Sequence, residues 1–250
     1  MQSELVSVIT PSYKSERFIA ECIESVLAQT YENWEMIIVD DCSPDNSNAI
    51  IQEYLLKDSR IKFFQLEKNS GAAEARNRAI AEAKGRYIAF LDADDVWMQG
   101  KLTKQLHFMQ KHGYAFTFTA YSAMSEDAKE ELYCVHVPKK LTYSDYCKNT
   151  IIGCLTVVID RSIVGDFRMP NIKSSHDMAL WLLLLKRGFT AYGMDVVLAK
   201  YRVVANSNTA KKYKAAADVW RVYREIEKLG IFRSSWYFVH YAYNALRKRM

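Results

Sequence analysis

The chemically most loaded part of this chain is Arg86-Tyr-Ile-Ala-Phe-Leu-Asp-Ala-Asp-Asp-Val-Trp97, an apolar segment that ends in three carboxylates. Asp92 and Asp94 stand two apart, so in an extended chain their side chains leave on the same face. Two hard oxygen ligands at the carboxyl edge of a strand suit a Mg²⁺ or Mn²⁺ that must also grip a diphosphate. Three neighbouring carboxylates repel one another unless a cation is near. The Asp92-Ala93-Asp94 run therefore points to a nucleotide-linked substrate, with a turn or helix cap as the plainer alternative.

Two other apolar segments end in the same manner, at Thr10-Pro-Ser-Tyr13 and at Asp40-Asp41-Cys42-Ser43. In an open α/β sheet, ligands bind beyond the carboxyl ends of the strands. Convergence of the three ends would give one pocket with an aromatic face at Tyr13, a base-reading carboxylate and a metal site. The Asp40-Asp41 pair reads equally well as a turn former. Gly71-Ala-Ala-Glu-Ala-Arg-Asn-Arg78 enters a helix through small residues, and an arginine fork can hold two diphosphate oxygens at once. Arg76 and Arg78 cannot share one helix face, so one of them belongs to the surface; Arg76 is chosen for the pocket, with an ordinary structural arginine as the equal alternative. Asp177 opens a very apolar helix, either as its cap or as a general base beside an acceptor hydroxyl. His176 reads as a structural or surface histidine.

These residues need elements to hold them, and the apolar pattern supplies them. Strands are expected at 6–10, 35–39, 61–66, 87–91 and 115–121. Helices are expected at 18–27, 48–56, 72–83 and 101–112. Repeated strand–helix units imply a parallel, doubly wound sheet. Beyond Ser122 the pattern is mixed: an exposed loop at 126–131, strands at 156–160 and 198–203, helices at 177–186 and 215–228. The expected organisation is a catalytic domain over 1–214, with a nucleotide half to about 122 and an acceptor half from 123, then a helical extension over 215–250.

The chain has 250 residues, half of them hydrophobic and a quarter charged, with a net charge of +5. That balance is too mild and too dispersed for nucleic acid, and it is compatible with anionic substrates or an anionic membrane surface. Cys22, Cys42, Cys134, Cys147 and Cys154 show no metal-like or redox spacing, so buried thiols in a reducing cytosol are expected. The N-terminus enters a strand at once, so no signal peptide is expected. The apolar run 178–185 is too short to span a bilayer. Trp236, Tyr237, Phe238, Tyr241 and Tyr243, followed by Arg247-Lys-Arg249, read either as a membrane-interface helix or as aromatics packed on the core.

Val6-Ser-Val-Ile-Thr-Pro-Ser-Tyr13, Trp34-Glu-Met-Ile-Ile-Val-Asp-Asp-Cys-Ser43, 71–77 and 87–95 together resemble the family 2 glycosyltransferases of GT-A fold. The second half, with Asn149-Thr-Ile-Ile-Gly-Cys154, His176-Asp177 and Tyr201-Arg202, resembles members that build teichuronic acid, capsule or lipopolysaccharide. The resemblance implies that Pro11 and Tyr13 hold the base, Asp41 reads the uracil ring and Arg76 contacts the nucleotide. It further implies that Asp92 and Ala93 lie along the nucleotide-sugar, Asp94 binds Mn²⁺ or Mg²⁺, and Asp177 is the base. Glycine is common in that family where Cys42 and Ala79 stand here, which puts the local backbone in question.

The activity implied is inverting transfer of one sugar from a nucleotide-diphospho-sugar, a UDP-sugar, to a glycan acceptor. That acceptor would be lipid-linked, and the enzyme cytoplasmic, at the inner face of the membrane. Single addition is favoured over chain extrusion, because the Gln-x-x-Arg-Trp motif of processive synthases is absent. The rival readings are a non-catalytic sugar-nucleotide-binding module and a sugar nucleotidyltransferase. The latter is disfavoured because no glycine-rich basic loop follows the first strand.

Overall fold

The computed structural model describes residues 4–204 and 212–247. Its first half alternates strand and helix: β1 (Val6–Ser12), α1 (Ile19–Leu27), β2 (Trp34–Asp40), α2 (Ser47–Lys57), β3 (Ile61–Gln65), α3 (Ala72–Glu82) and β4 (Tyr87–Phe90). Every residue of β1, β2 and β4 is buried, as nearly continuous apolar strands must be when helices cover both faces. In α1 the buried side chains Ile19, Cys22, Ile23 and Val26 recur at helical spacing.

The short β5 (Val96–Trp97) and α4 (Lys101–His112) follow, then β6 (Phe116–Met124), β7 (Glu131–Val135), β8 (Lys140–Leu141), α5 (Tyr143–Lys148) and β9 (Val158–Asp160). After α6 (Arg161–Val164) come α7 (His176–Lys186), β10 (Ala191–Arg202), α8 (Lys212–Arg221) and α9 (Ile231–Arg247). The main sheet order is β3-β2-β1-β4-β9-β6-β10-β5. β3, β2, β1 and β4 are parallel, and β10 is parallel to β6. Between these two parallel groups β9 runs antiparallel to both β4 and β6, which never touch as sheet neighbours.

The structure changes several expectations. β4 ends at Phe90, and the chain is not extended at the acidic cluster: Asp95 N–H donates to Asp92 C=O at 3.0 Å, closing a turn. The strand expected at 198–203 is the tail of a twelve-residue strand. Two register irregularities, and exposed residues at Asp195 and Val196, had hidden its first part. β5, β7, β8, α5 and α6 carry too few residues for a periodic signal. Cys22, Cys147 and Cys154 are buried, whereas Cys42 and Cys134 are exposed.

The apolar run of α7 is explained by burial nearly all round, with Trp181 packed edge-on against Phe90 at 5.4 Å. α8 starts three residues before the expected position and passes into a π-helical turn over Val222–Ile226. Val219, Val222, Tyr223 and Tyr237 join the same hydrophobic core as α7 and the sheet. The aromatics of α9 divide: Tyr237, Phe238 and Tyr241 face that core, while Trp236 and Tyr243 are exposed. The side chain of Arg247 and residues 248–250, the basic end of this segment, lie outside the described residues. No described helix is long and apolar enough to cross a membrane.

Candidate active site

One cavity of about 970 Å³ opens at the carboxyl ends of β1, β2 and β4, where the loops after them meet the start of α7. Pro11, Tyr13, Asp41, Arg76, Asp92, Ala93, Asp94 and Asp177 all line it. Parallel strands point all their carboxyl ends the same way, which gathers Pro11, Tyr13, Asp41, Asp92 and Asp94, and the start of α7 adds Asp177 from 166 positions beyond Pro11.

Tyr13 is 46% exposed, with the Lys14 ammonium 5.4 Å from its ring centre. Asp40 and Asp41, adjacent in sequence, have separate duties. Asp40 is fully buried and accepts from Ser43 N–H at 2.8 Å, which makes it a turn former. Asp41 accepts from the N–H groups of Ser70 at 2.6 Å and Gly71 at 2.8 Å, so it also anchors the loop that enters α3. Cys42 adopts φ 61°, the left-handed region in which glycine is free of strain. The backbone there keeps the shape glycine favours, despite the cysteine. Lys14 (φ 52°) and Ser175 (φ 58°), both in the cavity wall, share this conformation.

Arg76 is buried and Arg78 is exposed on the opposite side of α3, paired with Glu82 at 2.8 Å. The Arg76 guanidinium donates to Asp92 Oδ1 and, through Nη1, to His176 Nε2. Burial is the largest influence and works against its charge, but Asp92, Cys154 and Asp177 together outweigh it, and the pKa lies above the ordinary arginine value. Its Nε is buried with no partner among the described residues. Because arginine only donates, His176 Nε2 must be unprotonated. Burial and then the Arg76 charge lower the His176 pKa, in keeping with a neutral ring. His176, given no role by sequence reasoning, thus lines the cavity and braces Arg76.

Burial, then the Asp92 charge, pushes the Asp94 carboxyl up to about 6. Asp95 turns inward and accepts from Arg202 N–H at 2.9 Å; burial and then Asp94 raise its pKa well above the carboxylate range. Asp177 is half-buried in the first turn of α7. The cap position belongs to Ser175, which makes no side-chain capping bond, and Asp177 sits in the first turn, where the helix dipole favours a carboxylate.

Sequence reasoning also gave no role to Arg202. It is buried at the end of β10 and donates to the backbone carbonyls of Asp94 and Glu126, each at 2.8 Å, and to the Glu21 carboxylate.

Comparison with known proteins assigns this arrangement a class. The structure superposes on S. aureus TarS residues 1–349 in complex with UDP-GlcNAc, with TM-score 0.72 and 21% identity over 97% of this chain and 72% of that one. It superposes as well on the mannosyltransferase PcManGT from Pyrobaculum calidifontis in complex with GDP-Man and Mn²⁺, with TM-score 0.72 and 16% identity over 97% and 74% of the two chains. The fold is GT-A, that of nucleotide-sugar-dependent glycosyltransferases.

The sequence model for "Glycosyl transferase family 2" matches residues 7–159, and the chain belongs to that family. It is 54% identical over 246 residues to the putative teichuronic acid biosynthesis glycosyltransferase TuaG of Bacillus subtilis, covering 98% of each chain. It is 40% identical over 223 residues to the Escherichia coli UDP-Glc:alpha-D-GlcNAc-diphosphoundecaprenol beta-1,3-glucosyltransferase WfgD, covering 89% of this chain and 86% of that one. The protein is a glycosyltransferase.

Proposed function

We propose that this enzyme moves one sugar from a UDP-sugar, with inversion, to a hydroxyl of a lipid-linked glycan in bacterial surface-polysaccharide synthesis. The observation that carries this reading is the convergence of Asp41, Asp94 and Asp177 on a single cavity in a chain of this family. TuaG and WfgD supply the substrate class: one is named for teichuronic acid synthesis, the other for a diphosphoundecaprenol-linked acceptor.

In this reading residues 1–122 hold the nucleotide, and the later half with α8 forms the acceptor wall. Tyr13 stacks on the base beside Pro11. Asp41 reads the uracil ring while its backbone bonds keep it fixed. Arg76, Asp92 and Ala93 lie along the ribose and diphosphate.

The donor set at Asp94 fits Mn²⁺ or Mg²⁺. A buried carboxyl pushed up to about 6 beside Asp92 is relieved by a divalent charge. Among the described residues no cluster of three or more protein ligands is assembled. That suits an ion held by one or two carboxylates and completed by diphosphate oxygens and water. Asp94 would hold the ion, which when bound neutralises charge growing on the departing diphosphate. Asp177 takes the proton of the acceptor hydroxyl as that oxygen attacks the anomeric carbon from the face opposite the leaving group. Inversion needs no enzyme nucleophile, and none is assigned.

The test is UDP release from a donor panel of UDP-, GDP- and dTDP-sugars with and without Mn²⁺, using wild type and Asp177→Asn. A turnover loss of about 10²- to 10⁴-fold with UDP affinity kept is the expected result. UDP affinity indifferent to chelator would overturn the metal assignment, and full activity of Asp177→Asn would overturn the base.

A further inference from the structure

The outward side of α9 is apolar where a surface helix is ordinarily polar. Phe232, Trp236, Val239, Tyr243 and Leu246 follow one another at steps of four, three, four and three, which sets them in one stripe along the helix. They are 90, 60, 67, 58 and 70% exposed, respectively. Anchoring of the helix to the domain falls to its other side, through Ser234, Tyr237 and Tyr241. Phe232, Val239 and Leu246 are left facing solvent, away from that anchoring side. The charge within the helix is one-signed: α9 contains Arg233, His240 and Arg247 and no Asp or Glu, and Lys248 and Arg249 follow in sequence.

We propose that this stripe is a docking surface for an anionic lipid bilayer, with α9 lying in the plane of the headgroups. The proposal deepens, and for its purpose rests on, the reading of a lipid-linked acceptor. Charge selects the occupant. A second copy meeting the same stripe would bring arginine toward arginine, with no carboxylate in either helix to answer it. Phosphate headgroups supply the missing negative charge. Trp236 and Tyr243 carry amphipathic rings of the kind that settle at the headgroup level, while Phe232, Val239 and Leu246 supply the apolar contact beneath.

The placement also serves the cavity. Tyr241, on the far side of the same helix, lines the cavity together with Asp218 and Val219 of α8. The cavity wall thus stands one helix diameter, about 10 Å, from the surface the stripe meets. A sugar held by a diphosphate above the bilayer would be presented at that wall.

The experiment is co-sedimentation with vesicles of phosphatidylcholine alone and of phosphatidylcholine with about 30 mol % phosphatidylglycerol. It compares wild type with Phe232→Ser/Trp236→Ser/Leu246→Ser, all exposed positions. Wild type is expected to bind the anionic vesicles, and the triple variant to bind them at least about tenfold more weakly while its UDP affinity and melting temperature stay unchanged. Equal binding of wild type to both vesicle types, or unchanged binding by the triple variant, would overturn the proposal. So would a wild-type dimer in sedimentation velocity that the triple variant converts to monomer. Vesicle binding lost by the triple variant would support the surface even if no donor were turned over, and that second failure would count against the proposed donor and acceptor alone.

Discussion

The side chain of Arg202 holds the main chain of Asp94, donating from Nε to its carbonyl at 2.8 Å. Arg202 closes β10, and Asp94 lies in the turn between β4, which β9 and β6 separate from β10, and β5, which pairs with β10. One guanidinium therefore fixes the loop on which the metal assignment depends to the far part of the sheet.

Replacing Arg202 with Met should loosen that loop without touching a substrate atom. A lost hydrogen bond from a charged donor is worth about 1.5–3 kcal/mol, which corresponds to a fall of about 10- to 100-fold in kcat/KM. Steady-state kinetics with varied Mn²⁺ should show the loss concentrated in donor and metal affinity. A change below about threefold would show the clamp to be dispensable.

Asp94 gives a pH dependence with two opposite signs. Its free carboxyl titrates at about 6, above the usual 3.8. Below that pH a cation must displace a proton, so Mn²⁺ affinity in the presence of UDP should fall about tenfold per pH unit, and level off above about pH 7. Folding runs the other way. The native carboxyl holds its proton more tightly than the unfolded one, so the metal-free protein loses this stability as pH rises through 6. Calorimetric titration and melting curves over the same pH series check both.

Lys101 should make the protein more stable in mild alkali. The residue is fully buried, donates to Gln105 Oε1 at 2.7 Å and lies 4.4 Å from the Trp97 ring centre. Burial lowers its pKa from 10.5 to about 7. Its place at the start of α4 disfavours the cation further. Between those values the unfolded chain binds the extra proton, so stability rises with pH, by at most about 1.4 kcal/mol per unit. Denaturant unfolding from pH 7 to 9 should show this slope in wild type, and Lys101→Met should flatten it.

Cys42→Gly should stabilise the protein by about 1 kcal/mol, because the native φ of 61° costs a side chain but not glycine. The gain is partly offset by the greater freedom of glycine in the unfolded chain. UDP affinity should be unchanged, since the backbone already has the shape glycine prefers. Thermal melts and UDP titration decide the matter.

The elements legible in the sequence were those whose signal is local. β1, β2 and β4 announce themselves because burial on both faces forces unbroken apolar runs. The acidic cluster stands out because three carboxylates end one of those runs. Helix geometry puts Arg76 and Arg78 on different faces, but it does not say which of the two is buried. Arg202 shows the limit: its partner Asp94 lies 108 positions away, and no spacing rule relates the end of one strand to the loop after another. His176 was hidden for the same reason, since its contact with Arg76 spans 100 positions. β10 was half-missed because irregular pairing broke its alternation. The division of labour between Asp40 and Asp41 rests on which backbone amides each meets, which composition does not record.

The antiparallel insertion of β9 has a consequence for protein engineering. Excising residues 1–122 would strip β4 and β6 of the strand that lies between them, leaving two bare hydrogen-bonding edges facing each other across a gap. Such a fragment should aggregate, and a chimera that exchanges everything after that boundary would inherit a foreign zipper in the middle of its sheet. The family match runs through to residue 159, inside β9. A graft carried past that strand keeps the seam native on both sides, so the first half becomes exchangeable only as a unit that includes it.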